Sequence, residues 1–175
     1  MEVEEIEKIT KDSEELDRKI DYFTKLKLIR DKKLDVESIK GHIEKAENNL
    51  KFVLDNINLG YYDWCITGCY YSMYHIAIAL ILSKEKQSKN HDASICLLIK
   101  YYYMNGISEE DIEMLNEFFI NYQDLLFYVE SKEKRKEASY STEYRFDKEE
   151  VENMRLKSIE FVDKAKNILK GMDLL

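Results

Sequence analysis

Three histidines, His42, His75 and His91, and five arginines, Arg18, Arg30, Arg135, Arg145 and Arg155, are the groups of this chain best suited to moving a proton or gripping a phosphate near neutral pH. One stretch gathers such chemistry densely: GCYYSMYHIAIAL, residues 68–80, holds three tyrosines, a serine and His75 ahead of an apolar run. On a helix, Tyr71, His75, Ile78 and Leu82 share one face, and Tyr70, Met73, Ala77 and Leu80 a neighbouring one. Two readings follow. Either the tyrosine rings are buried with their hydroxyls at the rim and His75 is hydrogen-bonded in the core, or this face lines a groove or a symmetric seam. A tyrosine-rich stripe suits a seam, because each ring is apolar while its hydroxyl can stay wet.

Further candidates lie elsewhere. Arg135 sits in the charged run KEKRKE. Its planar guanidinium could grip a phosphate through two parallel hydrogen bonds, or the run could be solvated charge. Tyr140 could stack on a base or dock its linker on the bundle. His91 follows Asn90 at an expected helix start, where backbone N–H groups favour anions; a surface position beside the cap is the plainer reading. His42 reads as a surface residue without a role. The expected site is therefore His75, His91 and Arg135 for catalysis, with Tyr71, Arg135 and Tyr140 for ligand binding.

Other chemistries find little footing. The five glycines are scattered and form no phosphate loop. The separated histidines lack metal-ligand spacing, and no Glu-x-x-His motif supports a di-iron bundle, so neither metal nor cofactor is expected. No nucleophile elbow occurs. Cys65, Cys69 and Cys96 are odd in number and lack metal-type pairing, so they read as buried thiols.

These side chains must be positioned by helices. There is no proline, and apolar residues recur at helical spacing. Asp12 with Glu15 resembles a capping box, and Leu16, Ile20 and Phe23 follow it. A break falls near Asp31–Asp35. Ile39, Ile43, Ala46, Leu50, Val53 and Ile57 form the next stripe, closed by Gly60. A helix over 61–83 carries the tyrosine-histidine stretch, and KEKQSKNHD reads as a polar loop. A shorter helix presents Ile95, Leu98 and Tyr102 and ends at Asn105-Gly106. Ser108 can cap a helix bearing Ile112, Leu115, Phe119, Tyr122, Leu126 and Val129. After a basic linker, Asp147 and Glu150 form a capping box before Val151, Met154, Ser158, Phe161, Ala165 and Ile168. No strand is convincing. The expected fold is all-α: an up-and-down bundle of four to five main helices with an extra N-terminal helix. Residues 1–34 read as a charged helical arm and 35–175 as the bundle.

Charge narrows the partners. A net charge of −8 argues against a general nucleic-acid coat but leaves room for a local basic patch. No apolar run approaches the roughly 18 residues of a membrane span, and the acidic start MEVEEIEKIT does not read as a signal peptide, so a cytoplasmic protein is expected.

The stretch LGYYDWCITGCYYSMYHIAIALILSK, followed by NHDASICLLIKYYY and then RKEASY, resembles the HEPN superfamily, and within it a small prokaryotic branch. That branch opens its second bundle helix with Gly-x-Tyr and continues with Tyr-Tyr-Ala-x-Phe-His. A Thr-His pair opens the next segment, and Arg-x-x-Ala-Asp-Tyr precedes the last helix. Here Gly60, Tyr62, Tyr70, Tyr71, His75, His91, Arg135, Ala138 and Tyr140 match. Ser72, Tyr74 and Ser139 depart from the usual alanine, phenylalanine and aspartate. The likeness covers roughly residues 38–170 and leaves 1–34 without a counterpart.

The resemblance implies a dimerising bundle, often a toxin or defence effector and frequently paired with a minimal nucleotidyltransferase. Its ribonuclease members carry Arg, four to six residues, then His; in them histidine moves a proton and arginine stabilises phosphate charge. No arginine here precedes a histidine at that spacing. The expected function is therefore a nucleotide- or RNA-engaging module, a homodimer in family terms, working with a nucleotidyltransferase in a toxin–antitoxin or defence-type pair. A metal-independent RNase with a dispersed His/Arg site and a purely structural helical module are the alternatives.

Overall fold

The computed structural model describes residues 1–130 and 146–175, with the backbone alone for 124–130. In chain order the elements are α1 (Val3–Lys11), α2 (Ser13–Lys25), β1 (Ile29–Asp31), α3 (Val36–Leu59), α4 (Tyr62–Leu82), β2 (Lys86–Ser88), α5 (His91–Tyr102), α6 (Glu109–Glu130) and α7 (Lys148–Gly171). The fold is all-α, with one two-stranded ribbon as the exception among the described residues.

Short polar side chains start the helices. Asp12, Asp35, Asn90 and Asp147 each accept a backbone N–H of the first turn of α2, α3, α5 and α7. Asp147 and Glu150 complete a reciprocal capping box. Ser108 and Asp111 make the same exchange at the start of α6. Asp111 is also held by Lys164 of α7 at 2.7 Å. Gly60 ends α3 at φ +79°, a conformation that costs glycine little.

Helix α4 is the centre of the bundle. α3 lies along it through the short Gly60–Tyr61 connection, and α7, α6 and α5 enclose it. Fourteen of its residues are buried, from Cys65 to Leu82. By length and composition alone this helix could cross a membrane, contrary to the sequence expectation, but most of its apolar window is buried inside the fold. All three thiols are buried and free. Burial pushes Cys69 and Cys96 up to about 12, which holds them protonated.

Three details differ from the sequence reading. The N-terminal region forms two helices, not one, divided at Asp12; Ile6, Ile9, Leu16 and Phe23 join the core, and α1 and α2 pack on α5 and α6. Residues 29–31 and 86–88, expected as a break and a polar loop, pair antiparallel with Ile29 opposite Ser88 and Asp31 opposite Lys86. Helix α5 is buried nearly all round rather than on one face, because it is roofed by α1 and α2.

α3 and α4 pack tightly against each other at Gly68. A Cβ there would stand 2.5 Å from Val53 Cγ2 and 3.0 Å from Phe52 Cδ1. Gly68→Ala gains about 1 kcal/mol of helix propensity, but overpacking costs about 1–3 kcal/mol. Val53 is fully buried and cannot swing away. A net loss of about 1 kcal/mol is expected in urea unfolding. Val53→Ala combined with Gly68→Ala should lose less than the two single losses together, since the new methyl enters the vacated space. Additive losses would refute this account of the crossing.

Candidate functional site

The α3–α4 hairpin brings two imidazoles together. His42 of α3 and His75 of α4 approach Nδ1 to Nδ1 at 3.1 Å, with ring centroids 5.2 Å apart. Both side chains are half-buried. A hydrogen bond between two Nδ1 atoms needs one donor and one acceptor, so the rings are held as opposite tautomers. One ring then keeps a lone pair on Nε2, and the other keeps an N–H there. The pair thus offers one proton acceptor and one proton donor side by side.

Electrostatics hold the pair neutral. Burial lowers His75 to about 4, and His42 and Lys45 add to the shift. His42 is also lowered, by burial first and then by Lys45 and Lys32. A general base near neutral pH must be unprotonated to act, and this environment secures that state.

An aromatic network joins the pair to the rest of α4. Tyr71 and Tyr74 lie beside His75, at centroid separations of 6.1 and 5.9 Å. The Tyr71 hydroxyl shares a 2.8 Å hydrogen bond with that of Tyr122 on α6. Tyr70 stacks on Tyr122 at 4.8 Å and reaches inward to Phe119 and His91. Burial pushes the Tyr70 and Tyr74 hydroxyls up, so both stay protonated donors.

His91 has a different setting. It opens α5, but its ring lies flat on Phe119 at 4.0 Å and is only 5% exposed. Neither ring nitrogen makes a well-formed hydrogen bond, although Asn116 lies near enough to favour the charged ring slightly. Burial lowers it to about 4 and outweighs the attraction of Asp92.

The structure therefore brings His75 and Tyr71 into one half-buried cluster. It sets His91 on the inner side of the same network, with Tyr70 and Tyr74 between it and His75. Arg135 and Tyr140 lie outside the described residues. His42, read from sequence as a surface residue without a role, is instead the partner of His75. Its signal was faint but present: in two antiparallel helices joined by a tight turn, positions at similar distances from the turn face each other. Among the described residues no group of three His, Cys, Asp or Glu side chains could hold a metal ion.

The buried neutral histidines have a thermodynamic consequence. In the unfolded chain each would titrate near its ordinary value of about 6.5. Between that value and about 4 the unfolded state binds more protons, so stability falls as pH falls through this window. His91→Phe, which keeps an aromatic ring on Phe119 without the buried nitrogens, should flatten the urea midpoint between pH 6.5 and 4. Its benefit over wild type at pH 4 should be on the order of 2 kcal/mol. An unchanged pH profile would show that His91 is not a source of the acid sensitivity.

The HEPN domain matches residues 39–168. The chain is 32% identical over 136 residues to a Methanocaldococcus jannaschii protein named "Putative toxin MJ0142", covering 74% of this chain and 84% of the relative. It is 29% identical over 133 residues to a "UPF0332 protein" of Archaeoglobus fulgidus, covering 75% and 95% respectively. A second M. jannaschii protein, "Putative toxin MJ0605", is 28% identical over 134 residues, covering 77% of this chain and 90% of the relative. All three histidines fall within the matched domain, whereas α1, α2 and β1 precede it.

Proposed function

This chain belongs to the HEPN domain family, and from that premise we propose that it is a toxin-like module that engages nucleotide or RNA. It acts as a homodimer in the cytoplasm, beside a minimal nucleotidyltransferase in a toxin–antitoxin or defence-type pair. The toxin names of two relatives support the class. The observation that carries the reading is the neutral His42–His75 pair at a half-buried edge, flanked by Tyr71 and Tyr74. Tyrosine faces can stack on bases, and tyrosine hydroxyls and imidazole N–H groups can donate to phosphate or ribose oxygens.

The tautomeric arrangement also favours a second reading, a metal-independent ribonuclease. The imidazole with a free lone pair would take the ribose 2′-hydroxyl proton while the 2′-oxygen attacks phosphorus. As that ring gains the proton, its Nδ1 proton would pass across the pair to the second ring, which would give its own Nε2 proton to the departing 5′-oxygen, so that both rings end neutral with their tautomers exchanged. Arg135 would supply charge to the phosphate in this scheme.

Inducible expression in a bacterial host tests the module reading. Wild type is expected to arrest growth, and His75→Ala and His42→Ala to relieve the arrest at equal soluble yield. Arrest that persists in both variants would move the toxic surface away from the pair. Incubation of the purified protein with RNA in the presence of chelator separates the two readings. Cleavage lowered at least ~100-fold by His75→Ala would establish the ribonuclease; no cleavage beside His75-dependent arrest would establish engagement without hydrolysis.

A further inference from the structure

A second surface stands out by charge. Segments 25–33, KLKLIRDKK, and 84–89, KEKQSK, lie far apart in sequence but meet in the β1–β2 ribbon. Together they carry eight cations, Lys25, Lys27, Arg30, Lys32, Lys33, Lys84, Lys86 and Lys89, against two carboxylates, Asp31 and Glu85. This occurs in a chain of net charge −8. The ladder extends beyond the strands through Lys32 N–H to the Glu85 carbonyl and Lys89 N–H to the Leu28 carbonyl. Among the described residues, Lys86 is the one cation of the eight with an ion-pair partner, Asp31. Lys25, Lys27, Arg30, Lys33 and Lys89 are exposed.

We propose that this ribbon is a docking track for the phosphodiester backbone of RNA, built jointly by the segment that precedes the HEPN domain and by the α4–α5 connection within it. The identity of the polyanion rests on the RNA-engaging reading above; the location does not. Three observations choose among occupants. The ribbon from Leu28 to Lys32 spans about 13 Å at the rise of a strand, which is long for one nucleotide and suits two. A cleft of about 390 Å³ lies along it, lined by Lys32, Lys33, Lys84 and Lys86 with Asp31 and Glu85, so cations outnumber carboxylates four to two, and the exposed ring of Tyr22 on adjoining α2 offers a stacking face. The patch is not backed by a basic amphipathic helix of the kind that binds lipid surfaces, since α2 carries Glu14, Glu15, Asp17 and Asp21 beside its own cations. With screening over about 8–10 Å at physiological salt, distant carboxylates do not cancel the local field.

The test is fluorescence anisotropy with a labelled single-stranded oligoribonucleotide across a salt series, using the full chain. Arg30→Gln, Lys33→Gln and Lys89→Gln together remove three exposed cations from the ribbon. Lys148→Gln, Lys157→Gln and Lys170→Gln remove three exposed cations from α7 as a charge-matched control. The ribbon variant is expected to bind at least tenfold more weakly at low salt, with a salt slope shallower by about 2. The α7 variant should keep its affinity within about twofold of wild type. Equal losses in both triple variants, or no loss in either, would overturn the ribbon assignment while leaving an RNA-engaging protein in place. A wild type that ignores RNA but binds anionic phosphatidylserine vesicles or poly-glutamate through the ribbon would overturn RNA as occupant. His75-dependent growth arrest would in that case still stand for the histidine site.

Discussion

A helix buried along most of its length leaves little solvent face on which to place a polar group, and α4 beyond Trp64 is such a helix. Most of its polar residues find a partner within the bundle or sit where they are half-exposed, Ser72 being the buried exception. Tyr70 is covered by Tyr122 and Phe119. Tyr71 trades a hydroxyl contact with Tyr122, and Cys65 donates to backbone carbonyls. His75 lies where α3 and α4 leave an opening, and the group that meets it there is another histidine. The close approach at Gly68 sets the register of α3 on α4, and that register places His42 opposite His75. Packing and chemistry at this site thus share one determinant.

The two histidine environments show how burial alone does not define a site. His75 and His91 are lowered to a similar value, chiefly by burial. His91 is stacked face to face on Phe119 and has no access to solvent worth the name. His75 is half-open, is hydrogen-bonded through one nitrogen, and has tyrosines beside it. The first arrangement keeps a ring in a core; the second leaves a ring nitrogen for use. The aromatic network between them makes them parts of one packed unit.

Helices were legible in the sequence because stripes such as Ile39, Ile43, Ala46, Val53 and Ile57 can satisfy only one period, and because Asp147, Ser108 and Gly60 mark boundaries by local chemistry. The resemblance carried by Tyr70, Tyr71, His75 and His91 was legible too, and the family match agrees with it. The ribbon was not. Its strands are three residues long, and their pairing depends on partners more than fifty residues apart, which no local pattern encodes. The burial of His91 was hidden by its polar neighbours Asn90 and Asp92. The role of His42 depended on helix register, which follows from Gly68 only once the two helices are known to cross there.

The placement of α1 and α2 bears on how the chain is made. Ile6, Ile9, Leu16 and Phe23 pack on α5 and α6, whose residues follow roughly seventy or more positions later. At roughly 5–20 residues per second, a ribosome delivers those partners on the order of ten seconds after the first helices emerge. For that interval an amphipathic pair of helices has its apolar stripe uncovered, while α3 and α4 can already close on each other as a local hairpin. The nascent protein therefore passes through a stage in which α1 and α2 wait for partners while α3 and α4 are already packed, and in which their apolar stripe is open to a chaperone.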